Sequence, residues 1–292
     1  MTTSGQTFPL LRLLAGSICI SFSPVLIKVA AIDPDLAGFY RMFFAGVGLL
    51  PLFLLRGKQV RIDRKPFLLL AGSGVFLGID FMFWHRSIDM IGPGLSTLLG
   101  NFQVFFTAVF SWVFLKERIT LLFVLAIFIA GCGLLMITGI DIPALTASVK
   151  LGIIFGLLTA FFYSGYILLV KASMTGTQLS GMTAMLIVSL SCTLFLALFN
   201  LFKGIPFMLT DSRSFYALAA VGLICTALGW SLISSAIKQV PATVAGLVLL
   251  LQPTLAFIWD VIFFNRVTSG VEYLGIVFIL SAIYLGSVKK AD

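Results

Sequence analysis

The chain has 292 residues, 60% of them hydrophobic and only 10% charged, with a mean hydropathy of +1.14. That leaves far too little polar surface for a water-soluble domain. A formal charge of +8 would suit nucleic acid, but most Lys and Arg stand in short loops beside apolar runs, the distribution that orients a membrane protein. No nucleic-acid partner is expected; the lipid bilayer is.

Runs of ~20 apolar residues are what a helix needs to cross hydrocarbon. In lipid such runs must be helical, because each backbone group needs a partner within its own segment. Alternating strands of ~10 residues, the mark of a transmembrane barrel, are missing from the sequence. In chain order the runs predict spans over about 8–30, 36–56, 66–88, 93–115, 119–139, 150–172, 180–203, 212–237, 242–264 and 270–288. The first, from Phe8 to Ala31, is too long for the apolar core of a signal peptide and carries Lys28, so it reads as a span. Connections are short, the longest polar ones being Arg56–Pro66 and Lys203–Ser214. Cys19, Cys132, Cys192 and Cys225 lie inside apolar runs with no partner at metal-ligand spacing, which makes them packing residues. Neither a metal nor a cofactor is expected.

One pattern recurs. Gly92-Pro93-Gly94, a run through Gln103 and Trp112, and Lys116-Glu117-Arg118-Ile119-Thr120 return as Val240-Pro241-Ala242, a run through Gln252 and Trp259, and Arg266-Val267-Thr268. Pro93 and Pro241, Arg118 and Arg266, and Thr120 and Thr268 are each 148 apart. That indicates an internal duplication, with a first repeat over 8–140 and a second over 150–288. Five spans per repeat is an odd number, so the second copy enters the membrane from the opposite face. The fold class predicted is an all-α integral membrane protein of ten transmembrane helices in two inverted five-helix repeats. With the N-terminus in the cytoplasm, twelve Lys and Arg fall inside and five outside, so both termini are expected to be cytoplasmic. Spans four and nine should then lie in antiparallel, repeat-related positions near the bundle centre. Glu117 against Asn265, and Trp112 against Asp260, mark where the halves have stopped being equivalent.

An ionisable residue inside a span costs about 2.5–3.5 kcal/mol at the centre and usually faces the bundle interior with a partner. Lys28, Arg41, Asp80 and Asp260 all fall in the outer half of the membrane and are the candidate coupling or gating groups. Two cations can balance two anions: Lys28 with Asp80 or Asp260, and Arg41 with the other. They serve either as structural ion pairs or an external gate, or else Asp80 or Asp260 takes up a coupling proton or a basic residue meets a substrate carboxylate.

The candidate substrate-binding residues are Ser21, Asp80, Trp84, Asn101, Tyr163, Tyr166, Trp230 and Gln252. Ser21 shares a helix face with Lys28, close to Pro24, whose missing N–H frees a backbone carbonyl. Asp80 shares a face with Trp84, and Gln252 with Trp259. Asn101 and Gln103 stand about 200° apart on a continuous helix and should not both face one pocket. A cavity of these groups suits small amphiphilic molecules such as amino acids, nucleobase-like compounds or organic cations. Against that stand interhelical hydrogen bonding for the amides and packing or lipid contact for the rings.

Several stretches together resemble the drug/metabolite transporter superfamily, in its EamA-type branch, over roughly residues 10–288. They are Phe39-Tyr40-Arg41-Met42-Phe43-Phe44, Ser87-Ile88-Asp89-Met90-Ile91-Gly92-Pro93-Gly94, Phe114-Leu115-Lys116-Glu117-Arg118-Ile119-Thr120, Ser235-Ala236-Ile237-Lys238-Gln239-Val240-Pro241-Ala242-Thr243 and Gln252-Pro253. Where the family usually has a proline in span four, this chain has Phe105, opposite Pro253. The resemblance implies ten spans in two homologous halves. It also implies a secondary transporter, exporting small metabolites such as amino acids or related amphiphilic compounds across the inner or plasma membrane by alternating access, as a monomer or homodimer. Two other classes compete. An integral-membrane enzyme would need a catalytic set, and the sequence offers one histidine, no His-Glu-x-x-His and no Gly-x-Ser-x-Gly; no catalytic residue is expected. A channel or scaffold on the same bundle would show conductance in place of saturable flux.

Overall fold

The computed structural model describes residues 4–55, 62–115, 121–138, 145–209, 211–236, 239–240, 245 and 248–287. The helices are α1 (Ser4–Ser21), α2 (Ser23–Ala30), α3 (Pro34–Leu55), α4 (Arg64–Ile91), α5 (Pro93–Gly100), α6 (Gln103–Leu115), α7 (Leu121–Thr138), α8 (Ala147–Met174), α9 (Gly181–Phe202), α10 (Ser212–Ala220), α11 (Gly229–Ala236), α12 (Leu251–Phe264) and α13 (Gly270–Ser287). A π-helical segment, Val221–Leu228, joins α10 to α11. Among the described residues six stretches are long and apolar enough to cross a membrane: Phe8–Ala30, Pro34–Leu55, Arg64–Ile91, Ala147–Met174, Gly181–Phe202 and Ser212–Ala236. Leu121–Ile137, Leu251–Phe264 and Gly270–Leu285 are apolar but shorter. Glu117, Arg118 and Pro241 lie outside the described residues.

The distribution of polarity is inverted relative to a soluble protein. Leu55, Leu121, Phe202 and Val267 are more than four-fifths exposed, while Asp35, Arg41, Asp80, His85 and Asp260 are buried. Water would penalise both halves of that arrangement; hydrocarbon outside the bundle favours both. The chain is an all-helical, multi-pass integral membrane protein.

Two spans are interrupted. Pro24 cannot donate to the carbonyl four residues back and crowds it, and the helix breaks at Phe22 between α1 and α2. The second break, at Asn101–Phe102, has no proline. Thr97 O accepts from both the backbone N–H and the side-chain Nδ2 of Asn101 (3.2 and 2.8 Å), and the next bonds, Phe102 to Leu99 and Phe105 to Phe102, close tighter three-residue turns. Leu250, which stands 148 after Phe102, is likewise a turn preceding α12. At the start of α10, Asp211 accepts from the Ser214 backbone N–H (2.7 Å) and hydroxyl (2.8 Å). Those bonds hold its carboxyl below the usual range.

Contacts fix how helices run. On α4, Ile91, Asp80 and Phe76 meet Gly152, Thr159 and Gly165 of α8. Positions fall on one helix as they climb on the other, so the two are antiparallel. The same reversal holds for α3 with α9, where Asp35 meets Asn200 and Gly38 meets Leu196. Between α7 and α13 the contact is reciprocal: Gly133 lies on the Gly275 carbonyl and Gly275 on that of Gly133. Side chains there would hold the backbones apart. α5 packs on α12 through Gly94 against Phe257. The largest buried apolar cluster joins α2, α3 and α4 to α8, α9 and α10, so the core lies between the two halves of the chain.

Candidate functional site

The breaks open onto a cavity of about 140 Å³. From the first half its wall takes Ser21, Ser23 and Pro24 at the α1–α2 break, Arg41 on α3, and Asp80, Phe81 and Trp84 on α4. Thr97, Asn101 and Gln103 flank the α5–α6 break. From the second half come Thr159, Tyr163 and Tyr166 on α8, Met185 on α9, Thr226 in the π segment, Trp230 on α11 and Gln252 on α12. The local patterns explain the placement. Leu77, Asp80, Phe81 and Trp84 follow the three- and four-residue spacing of one helix face, as do Thr159, Tyr163 and Tyr166.

All eight candidate substrate residues, Ser21, Asp80, Trp84, Asn101, Tyr163, Tyr166, Trp230 and Gln252, line this one cavity. The expectation that Asn101 and Gln103 cannot share a pocket is corrected: both line it. The 200° separation applies to a continuous helix, and the chain turns between them. The same physics separates Ser21 from Lys28. Ser21 is on the cavity wall, while Lys28, beyond the Phe22 break, puts its ammonium 4.3 Å from the Phe264 ring centroid. Trp259 stands behind the wall. Its indole N–H donates to Ser21 Oγ (3.0 Å) and its ring stacks on Phe22 at 4.7 Å.

The four intramembrane charges divide into two places. Arg41 and Asp80, 6% and 4% exposed, are on the cavity. Arg41 Nε donates to Thr226 Oγ1 (3.2 Å), and the guanidinium lies 4.4 Å from the Phe81 and 5.2 Å from the Trp84 ring centroid. Thr226 Oγ1 in turn donates to Val221 O (2.9 Å), five residues back, inside the π segment. Arg41 Nη1, Asp80 Oδ1 and Ser23 Oγ are buried without a hydrogen-bond partner among the described residues, a costly arrangement in a low-dielectric interior. Asp260 is elsewhere: its Oδ2 accepts from the Gly94 N–H (3.0 Å) at the start of α5 and lies 3.8 Å from Arg266 Nη1. Trp112, at the repeat-equivalent position, is half exposed on the outer surface. Phe105 is buried in a cluster with Phe123, Ala126 and Ala282.

Sequence reasoning missed Asp35. Its fully buried carboxylate takes Arg86 Nη1 and Nη2 at 2.5 and 2.8 Å and Lys203 Nζ at 2.9 Å, and its carbonyl takes Asn200 Nδ2 (3.3 Å). Arg86, near the end of the expected span 66–88, counted only as one of the five external cations, whereas α4 runs on to Ile91 and holds it within the helix. The available signal was Asp33-Pro34-Asp35 in a short turn beside the basic ends of two other spans. Also missed were Ser23, Thr97, Thr159 and Thr226, small hydroxyls that in sequence look like ordinary helix-packing residues.

The family model described as "EamA-like transporter family" matches residues 7–139 and again 150–288. No curated protein matches. Among solved structures 26 chains match. One, described as "Crystal structure of protein", has 16% identity and a TM-score of 0.68 over 97% of this chain and 99% of its own; at that identity the likeness is one of fold. The two matches of the family model together cover nearly the whole chain in two successive copies, and on them the chain belongs to the EamA-like transporter family.

Proposed function

We propose that the chain is a secondary transporter that exports small metabolites, amino acids or related amphiphilic compounds, across the inner or plasma membrane. It works by alternating access between two inverted five-span repeats, with ten spans and both termini cytoplasmic. The observation that carries this reading is the cavity between the halves, where Arg41 Nη1 and Asp80 Oδ1 are buried with no hydrogen-bond partner among the described residues. The two side chains carry opposite charges and attract one another, but a buried polar atom left without a hydrogen bond is costly unless a ligand completes it. A solute with both an anionic and a cationic end would satisfy both atoms, while Trp84, Tyr163, Tyr166 and Trp230 take its apolar part. The antiparallel contacts between halves and the matching turns at Phe102 and Leu250 support the inverted arrangement. Asp80 and Asp260 are the coupling candidates, with a proton as the coupling ion. Lys28 and Arg41 complete the gating set, and the working unit is a monomer or a homodimer.

The test is thermal stabilisation of the purified protein across a metabolite library, followed by liposome flux for each hit. Saturable flux with counter-transport of unmodified solute is expected; conductance without saturation would replace the carrier with a channel. Coupling is tested by Asp80→Asn and Asp260→Asn. If both keep full pH-dependent transport, neither carboxylate carries the proton.

A further inference from the structure

A second concavity, of about 650 Å³, lies on the outside of the bundle and is almost wholly apolar. Phe76 of α4, Phe110 of α6, and Phe161, Phe162, Leu168 and Leu169 of α8 form its walls. Gly165 keeps it open beside Phe76: a Cβ at that position would come within 2.5 Å of the Phe76 ring. Its polar lining residues are Lys171 and Thr175, both at one end, in the last turn of α8 and just beyond it.

We propose that this groove holds one acyl chain of an anionic phospholipid, with the headgroup at Lys171. Three observations single out this occupant. First, depth: from Ala172 to Phe161 is eleven residues of helix, about 16 Å of rise, which matches one leaflet, half of a ~30 Å hydrocarbon core. Second, shape: the volume is in the ~300–1,000 Å³ range of ligand pockets, whereas a partner helix about 10–12 Å across with its side chains would fill roughly 1,250 Å³ or more over the same length. Third, charge: Lys171 is exposed, has no ion-pair partner among the described residues, and stands where the chain leaves the apolar zone for Thr175-Gly176-Thr177-Gln178. A cation there attracts anionic headgroups. The chain in the groove lies against the face of α8 opposite Tyr163, with Phe162 and Leu169 a turn either side of Tyr166. Lipid occupancy therefore bears on the same helices that line the central cavity.

The test reconstitutes the full chain into vesicles of equal parts phosphatidylglycerol and phosphatidylcholine, then releases it gently for native mass spectrometry. The expected result is one retained phospholipid per chain, with phosphatidylglycerol favoured by about fivefold, the size of one Lys–headgroup attraction. Lys171→Gln should keep the lipid and lose the preference. Ala172→Phe, at an exposed position on the groove wall, should lose the lipid while leaving the melting temperature of lipid-free protein unchanged. Retention of both lipids without preference by the unmodified chain would overturn the proposal. So would an unchanged bound lipid in Ala172→Phe, or loss of a dimer in that variant with lipid retained, which would make the groove an interface between copies. None of these readouts depends on a transported solute.

Discussion

At Arg41 the side chain is held on one side only. Nε is bonded to Thr226 and the guanidinium faces two rings, yet Nη1 has no hydrogen-bond partner among the described residues. Arg41→Ala should therefore weaken the stabilisation produced by an anionic or zwitterionic hit by about 10- to 100-fold in affinity. That is the worth of a charge-assisted hydrogen bond of roughly 1.5–3 kcal/mol. Asp80→Asn should do the same for hits that carry a cation and leave purely anionic hits nearly unaffected. The pair of titrations separates the two poles; equal losses for every hit in both variants would point to a damaged cavity. These two residues were legible in the sequence because an ionisable group in an apolar run is too costly to be incidental. Asp35 was not, because a carboxylate at a span boundary is ordinary until the folded chain brings Arg86 and Lys203 to it.

Six of the expected spans, those matching Phe8–Ala30, Pro34–Leu55, Arg64–Ile91, Ala147–Met174, Gly181–Phe202 and Ser212–Ala236, were legible from length and hydropathy, since both are properties of one segment in lipid. The interruptions were legible only in part. Pro24 announces its break by chemistry, but the Asn101–Phe102 turn arises from an amide competing for the carbonyl of Thr97, which a hydropathy pattern does not carry. That is why the angular separation of Asn101 and Gln103 misled. Helix contacts at this scale give a paired prediction. A Cβ at Gly133 would lie 2.6 Å from the Gly275 carbonyl oxygen, whereas one at Gly131 meets nothing within 4 Å. Gly133→Val should force α7 and α13 apart and cost about 1–3 kcal/mol or more, seen as a lowered melting temperature in detergent. Gly131→Val should be nearly neutral or slightly stabilising, because it points into open space and removes a helix glycine worth ~0.5–1 kcal/mol. Equal effects would mean that the α7–α13 contact does not hold the bundle.

For the molecule as a whole, one end of the bundle is tied more densely than its loops alone would require. Asp35 joins the start of α3 to the ends of α4 and α9 through Arg86 and Lys203. Tyr40 OH donates to the Phe207 carbonyl, and Ser214 Oγ to that of Ala30 (2.7 Å). Asp260 ties α12 to α5 on the same side. Under the proposed orientation this end is the external face, and under the proposed alternating access these are the contacts that would have to break for the cavity to open outward. Asp35→Asn removes the charge that both cations share. Breaking a fully buried pair costs about 3–5 kcal/mol, but the Arg86 and Lys203 side chains are 25% and 40% exposed, so about 1–3 kcal/mol is the expected size. Loss of that contact from the closed state alone shifts the equilibrium toward outward-open by roughly 5- to 150-fold. The measurement is the rate at which a membrane-impermeant thiol reagent, applied from outside, modifies a single cysteine placed at Thr159 on the cavity wall, in a background free of Cys19, Cys132, Cys192 and Cys225. The rate should rise in Asp35→Asn and return toward its original value in Asp35→Glu, which restores the charge. An unchanged rate in Asp35→Asn, with protein of normal yield and a lowered melting temperature, would leave the cluster as a stabilising clamp and place the external gate at Asp260 and Arg266.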